Sequence, residues 1–189
     1  HKNLGNLLER NERLEKLSKW IGERSDDINL EVIEEGVKLA KVDLTTLMIR
    51  DGKEFTNLEG YIGAKYGRAE GLSKEVCGVI EDHYKPRNLE DELPRSKEAA
   101  VVSLADRIDL IVGSFLAGEK PTGSRDPFGL RQAMSGFIKI LLEFKFTLLL
   151  DKLIEKNLEL FSAKENKEIF KEIKKFIVER VGGNLQSKE

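Results

Sequence analysis

One cysteine, Cys77, and two histidines, His1 and His83, are nearly all that this 189-residue chain offers a soft metal. That scarcity excludes an internal disulfide framework and any cysteine-based zinc site, and it leads us to expect a reducing, cytoplasmic setting. An excess of charge of one sign is also missing: 32 Lys and Arg face 34 Asp and Glu, a formal net charge of −2. No overall basic field exists to attract nucleic acid, so any RNA contact has to come from a local patch. Long apolar runs are absent too. The most apolar stretch, 144–150, contains Lys145 and is bounded by Glu143 and Asp151, far short of the roughly 18 apolar residues of a membrane span, and no membrane partner is expected. Alternating β patterns, internal repeats and a Gly-x4-Gly-Lys-Ser/Thr phosphate loop do not occur. Ser103, Ser114 and Ser124 have no histidine in sequence context to activate them, which argues against a serine nucleophile.

What is present is helical periodicity. With 40% hydrophobic residues the chain can bury one sizeable core or two small ones, and the pattern predicts an all-α fold. Leu7, Leu14, Leu17 and Ile21 mark an amphipathic first helix, interrupted at Ser25-Asp-Asp27. Leu30, Ile33, Val37, Ala40, Leu44, Leu47 and Met48 predict a second helix running to Asp51-Gly52. Phe55, Leu58, Tyr61, Ile62 and Tyr66 predict a third, in which Gly60 and Gly63 signal close packing against a neighbouring backbone. Ser73 is the expected N-cap of a short helix carrying Val76, Val79 and Ile80. Between Pro86 and Pro94 lies a polar loop. The helix expected over 96–117 is apolar around most of its circumference and should be enclosed by others. Leu130 to Ile154 continues as an apolar pattern, broken at Phe161-Ser162, and a last amphipathic helix carrying Ile169, Ile173, Phe176 and Ile177 should stop at Gly182-Gly183 and fray beyond it.

The stretch Gly118-Glu-Lys-Pro-Thr-Gly-Ser-Arg-Asp-Pro-Phe-Gly-Leu-Arg131 joins the two most apolar patterns. Gly118 supplies the positive φ that ends one helix, and Asp126-Pro127 is expected to start the next. Lys120, Arg125 and Arg131 make the connection cationic, and Lys85, Arg87 and Arg95 come from the preceding loop. These six are the candidate phosphate contacts, with Phe128 either stacking a base or acting as a core staple. Asp106 and Asp109, three apart on the enclosed helix, cannot stay ionised there without a cation, a metal or several donors. Arg107 or a nearby Lys is one source of partners. Asp82 and His83 are the other residues that could cooperate with them.

The wording of 121–131, followed by Gly136-Phe-Ile-Lys-Ile140, resembles the β subunit of bacterial heterotetrameric glycyl-tRNA synthetase. Five further stretches look like the same family: Lys41-Val-Asp-Leu-Thr-Thr-Leu-Met48, Glu54-Phe-Thr-Asn-Leu-Glu-Gly60, Glu81-Asp-His-Tyr-Lys-Pro-Arg87, Asp91-Glu-Leu-Pro94 and Leu104-Ala-Asp-Arg-Ile-Asp109. The resemblance spans roughly Leu4 to Glu143. It implies a two-α, two-β ligase in which the α subunit activates glycine with ATP and Mg, while the β subunit serves tRNA(Gly) engagement and aminoacyl transfer. The implied partners are tRNA(Gly), the α subunit and the remainder of the β subunit, with no catalytic residue and no cofactor in this chain. Its opening at His1, without an initiator Met, and its interior-like wording lead us to expect a piece of a longer subunit.

A second resemblance is to the HD superfamily of helical metal-dependent phosphohydrolases, whose metal site uses a His, a His-Asp dyad and a later Asp. Leu104 to Asp109 looks like the helix of the later Asp, and Asp82-His83-Tyr84 looks like a histidine position. The dyad is missing: Lys41-Val42-Asp43 stands where it is expected, placing a positive charge where the cation would sit. The resemblance implies an HD-like domain over 1–145, with 146–189 a C-terminal helical extension, and a degenerate metal-free site in which Lys41 pairs with Asp106 or Asp109. Two alternatives remain open. One is a surviving metal-dependent phosphohydrolase using Asp82, His83, Asp106 and Asp109, and the other is a scaffold within the β subunit that does not touch RNA.

Overall fold

Every regular element is helical in the computed structural model, which describes residues 5–46, 49, 58–88 and 90–186. The helices are α1 (Leu7–Gly22), α2 (Leu30–Leu39), α3 (Tyr61–Ala69), α4 (Lys74–Asp82), α5 (Lys97–Leu116), α6 (Leu130–Glu143), α7 (Leu150–Leu160) and α8 (Lys167–Gln186), with a 3₁₀ turn at Val42–Thr45. Among the described residues the only β pairing is an isolated bridge between Thr122 and Arg125.

Local chemistry explains half of the starts. Asn6 forms a capping box with Glu9 ahead of α1, Asn29 accepts from Glu31 N and Val32 N, Ser73 accepts from Val76 N, and Ser96 from Ala99 N. Each satisfies donors that the first helical turn cannot pair by itself. At the other end of α5, Gly118 takes φ +77° and closes the helix.

Helix α5 is the axis of the fold. It packs against α1, α2, α4, α6, α7 and α8, and Val101, Leu104, Ile108 and Ile111 are fully buried along it. Each such side chain contributes roughly 1.5–3 kcal/mol by leaving water, which explains why a helix apolar nearly all round takes the central place. One continuous core runs from Leu14 and Leu17 of α1 through α5 to Leu153 and Ile154 of α7 and Ile173 and Ile177 of α8. Residues on both sides of position 145 therefore share it. A small satellite cluster of Ala64, Val76, Cys77 and Ile80 sits between α3 and α4.

Two glycines permit close approaches. A Cβ on Gly36 would lie 2.6 Å from Val79 Cγ1, where α2 crosses α4, and one on Gly60 would lie 2.5 Å from the Glu81 carbonyl oxygen.

Four boundaries differ from the sequence-based expectation. The second helix ends at Leu39, because the chain tightens into the 3₁₀ turn at Val42–Thr45; Leu47 and Met48 lie outside the described residues, as does Phe55 of the expected third helix. Helix α6 starts at Leu130 rather than at Asp126-Pro127. Gly129 is its left-handed N-cap residue, and Asp126 caps it from outside the turn, accepting from Leu130 N at 2.8 Å and Arg131 N at 2.9 Å. The apolar pattern of 130–154 is two helices, separated at residues 144–149 where Lys145 takes φ +55°. Finally, α8 passes through Gly182-Gly183 to Gln186, since glycine weakens a helix by only about 1 kcal/mol and does not by itself stop one.

Candidate functional site: a buried ionic cluster and a cationic turn

The two aspartates of α5 face α1 and the end of α2. Asp106 accepts from Arg10 Nη2 at 2.7 Å and from Lys41 Nζ at 2.8 Å. Asp109 is gripped by Arg13 through Nε at 2.8 Å and Nη2 at 3.1 Å, with Arg10 Nε 3.9 Å away. Arg107, the partner considered from sequence, turns elsewhere. It donates to Ser103 Oγ at 2.7 Å and to the carbonyl of Pro86, and burial pushes its guanidinium down to about 10.

Lys41 is almost completely buried, 4% exposed. Its ammonium lies 3.9 Å from the centre of the Tyr84 ring as well as against Asp106. Burial lowers the Lys41 pKa, and Arg10 adds to that, while Asp106 opposes both. For Asp106 itself, burial favours the neutral acid, but Arg10 and Lys41 outweigh it and hold the carboxyl well below the usual range. A carboxylate this deep stays charged only because two cations touch it.

His83 follows Asp82 in the chain, yet the two side chains serve different places. The His83 ring is fully buried. Its Nδ1 lies 2.8 Å from the Ile80 carbonyl, which can only accept, so Nδ1 carries the proton. Nε2 has no hydrogen-bond partner among the described residues, and burial, reinforced by the Lys41 charge, drives the pKa far below its ordinary value. Asp82 points to Arg95, accepting from its backbone N at 3.0 Å, Nε at 2.6 Å and Nη2 at 2.9 Å. Asp43 is buried beside the cluster, where it accepts from Gly60 N at 2.6 Å and from the Tyr84 hydroxyl at 3.3 Å.

A divalent cation does not suit this donor set. Lys41 already applies a full positive charge to Asp106, and Asp82 is engaged by Arg95. Among the described residues, no group of three or more His, Cys, Asp or Glu side chains converges to hold a metal ion. Arg10 and Arg13 escaped the sequence reading, although a signal for them exists: Arg10, Arg13, Leu14, Leu17 and Ile21 share one helical face, so both arginines had to point inward with the leucines.

The surface cations are mostly committed to the fold. Lys120 pairs with Glu172, Lys85 with Glu92 at 3.1 Å, and Arg95 with Asp82. Arg87 donates to the Glu59 carbonyl, and Arg131 donates to the Gly123 carbonyl at 2.7 Å. Arg125 differs. Its backbone is locked by paired bonds with Thr122, 2.9 and 2.7 Å long, while its side chain is exposed and, among the described residues, makes no ion pair. Phe128 is 37% exposed at the start of the next turn.

These features define an all-α protein whose interior carboxylates are neutralised by its own cations and whose cationic turn is rigidly presented. The comparisons with known proteins carry this to a family. The model of the glycyl-tRNA synthetase β subunit matches residues 1–189. Similar proteins include the glycine–tRNA ligase β subunit of Methylobacillus flagellatus, 37% identical over 98% of this chain and 26% of the relative. That of Rickettsia africae is 41% identical over 93% of this chain and 26% of the relative, and that of Paracidovorax citrulli is 39% identical over 98% and 26%. The chain belongs to the glycyl-tRNA synthetase β-subunit family, and it spans about a quarter of the length of the curated relatives it matches.

Proposed function

We propose that this chain is an HD-like helical section of a glycine–tRNA ligase β subunit, one that supports tRNA(Gly) binding and glycylation in a cytoplasmic, ATP-dependent α2β2 enzyme without chemistry of its own. In this reading ATP and Mg belong to the α subunit, residues 1–145 form the HD-like unit, and 146–189 extend it. The observation that carries the RNA contact is Arg125, an exposed guanidinium with no ion pair among the described residues, on a turn whose backbone is held by two hydrogen bonds. A fixed cation of this kind binds phosphate without first breaking an internal bond.

The test is a titration with glycine-accepting and unrelated tRNA transcripts at two salt concentrations. Arg125→Ala should weaken binding at low salt and reduce the salt slope by about one. Arg131→Ala removes a bond to Gly123 and so acts through the turn. If Arg125→Ala leaves both affinity and salt slope unchanged, the contact lies elsewhere.

The ionic cluster is read as a degenerate metal site in which the Lys41 ammonium replaces a divalent cation beside Asp106. Stoichiometric metal together with nucleotide phosphatase activity in the purified chain would instead support a surviving phosphohydrolase.

A further inference from the structure

An open groove of about 430 Å³ lies beside the cationic turn, between the loop at Asn88 and Glu90, the first turns of α6, and α8. The described residues along it are all polar: Asn88, Glu90, Arg131, Gln132, Ser135 and Arg180. Arg131 joins the groove to the turn, because the same side chain donates to the Gly123 carbonyl at 2.7 Å. The Lys120–Glu172 pair ties α8 to the start of the turn as well. The Gly123 carbonyl is neutral and does not cancel the charge of Arg131, so the groove sets two guanidiniums against one carboxylate, the exposed Glu90. Arg180, like Arg131, has a contact within the fold, but a guanidinium carries five N–H donors and one such bond does not exhaust it. Ser135 Oγ donates to the Arg131 carbonyl at 3.0 Å, and Gln132 Nε2 donates to the Arg87 carbonyl. Both side chains therefore meet a ligand with acceptor oxygens, Oγ and Oε1.

We propose that this groove holds the sugar–phosphate backbone of RNA, continuing the track that begins at Arg125. Arg131 and Arg180 bind phosphate, and Ser135 Oγ and Gln132 Oε1 accept from ribose 2′-hydroxyls. The inference rests on the reading of this chain as an RNA-binding section, and it extends that surface from the turn onto α8. The side chains of the groove select the occupant. Arg, Ser, Asn and Gln are the residues that contact phosphate and sugar. Among the described lining residues there is no aromatic ring on which a base could stack and no aliphatic side chain to seat the apolar anchor of a peptide. Acceptor oxygens beside two cations match a ribose, whose 2′-hydroxyl donates next to its phosphate; DNA lacks that donor.

The test is a titration of this chain with a tRNA(Gly) transcript and with a deoxyribose copy of the same sequence, each at two salt concentrations. Arg180→Gln should weaken RNA binding about tenfold at low salt and reduce the salt slope by about one. Arg180→Lys keeps the charge and should restore the slope. Ser135→Ala removes an acceptor but no charge, so it should narrow the preference for RNA over DNA and leave the slope unchanged. The proposal is overturned if Arg180→Gln alters neither affinity nor slope, or if the unsubstituted chain binds the two nucleic acids equally. Arg125→Ala separates the groove from the turn. A slope reduced by Arg125→Ala but not by Arg180→Gln keeps the turn and removes the groove, and the reverse result keeps the groove and removes the turn.

Discussion

Lys41 and Asp106, 65 positions apart in sequence, meet at 2.8 Å in the interior, where the end of α2 reaches the middle of α5. The pair closes a charge-neutralising network that also includes Arg10. Because Lys41 is 4% exposed and the Asp106 side chain 13%, water can do little to solvate either member when its partner is lost.

Removing one member should therefore cost far more than a surface ion pair. Lys41→Met or Asp106→Asn is expected to lower unfolding stability by roughly 3–5 kcal/mol, and the double change Lys41→Met/Asp106→Leu by clearly less than the sum of the two. Urea denaturation of all four proteins measures the coupling. Additive losses would show that the two side chains act independently.

Acid sensitivity should begin well above the carboxylate range. The folded-state pKa of His83 is depressed by burial and by Lys41, so its contribution is fully present above the unfolded value of about 6.5. It is lost as pH falls below that value, because the unfolded chain takes up a proton that the folded one refuses, at up to about 1.4 kcal/mol per pH unit. His83→Gln should flatten the stability profile between about pH 6.5 and 5. Asp106, also depressed, adds its loss only below about pH 4.

Two glycines in neighbouring helices should respond in opposite directions. Gly36→Ala places a methyl group 2.6 Å from Val79 Cγ1 and should cost about 1–3 kcal/mol through overpacking. Around Gly78, within α4, nothing among the described residues beyond the helix's own backbone lies within 4 Å of an added Cβ, and Gly78→Ala should stabilise by roughly 0.5–1 kcal/mol. Thermal unfolding of the two variants separates these effects.

Asp126→Ala removes the acceptor of two α6 backbone donors. A loss of about 1 kcal/mol is expected, along with faster amide exchange at Leu130 and Arg131. Retained slow exchange there would mean that Gly129 alone sets the helix start.

Much of this fold could be read from local pattern. Ser73 and Ser96 announce their helices because a hydroxyl before an apolar repeat satisfies the first-turn donors wherever the helix packs. The enclosure of α5 follows from apolar residues on all its sides, which water would penalise in any arrangement but a central one. Two of the failed boundaries share a cause. Lys145 at φ +55° and the 3₁₀ turn at Val42–Thr45 interrupt apolar patterns that would have continued as helix. Periodicity records which side chains are buried, not whether the backbone between them stays regular.

The candidate site divides in the same way. That Asp106 and Asp109 need cations is legible in the sequence, since a carboxylate on an enclosed helix cannot be left unpaired. Which cations supply the charge is legible only in part: the HD resemblance points to Lys41, for either Asp106 or Asp109, and not to Arg10 or Arg13. Arg10 and Lys41 reach Asp106 across 96 and 65 residues, whereas adjacent Arg107 turns to the Pro86 carbonyl.

By itself, then, the sequence determined an all-α chain, the enclosed central helix and the need for charge compensation inside it, because burial preference and first-turn capping act over a few residues. Only the tertiary structure decided that Lys41 answers Asp106 and not Asp109, that Arg10 rather than Arg107 joins it there, that Asp82 serves Arg95, and that Arg125 stands on the surface with no ion pair among the described residues. Pairing among charged side chains depends on distances of a few ångströms between elements far apart in the chain, and in the low-dielectric interior those distances govern which pairs are worth forming.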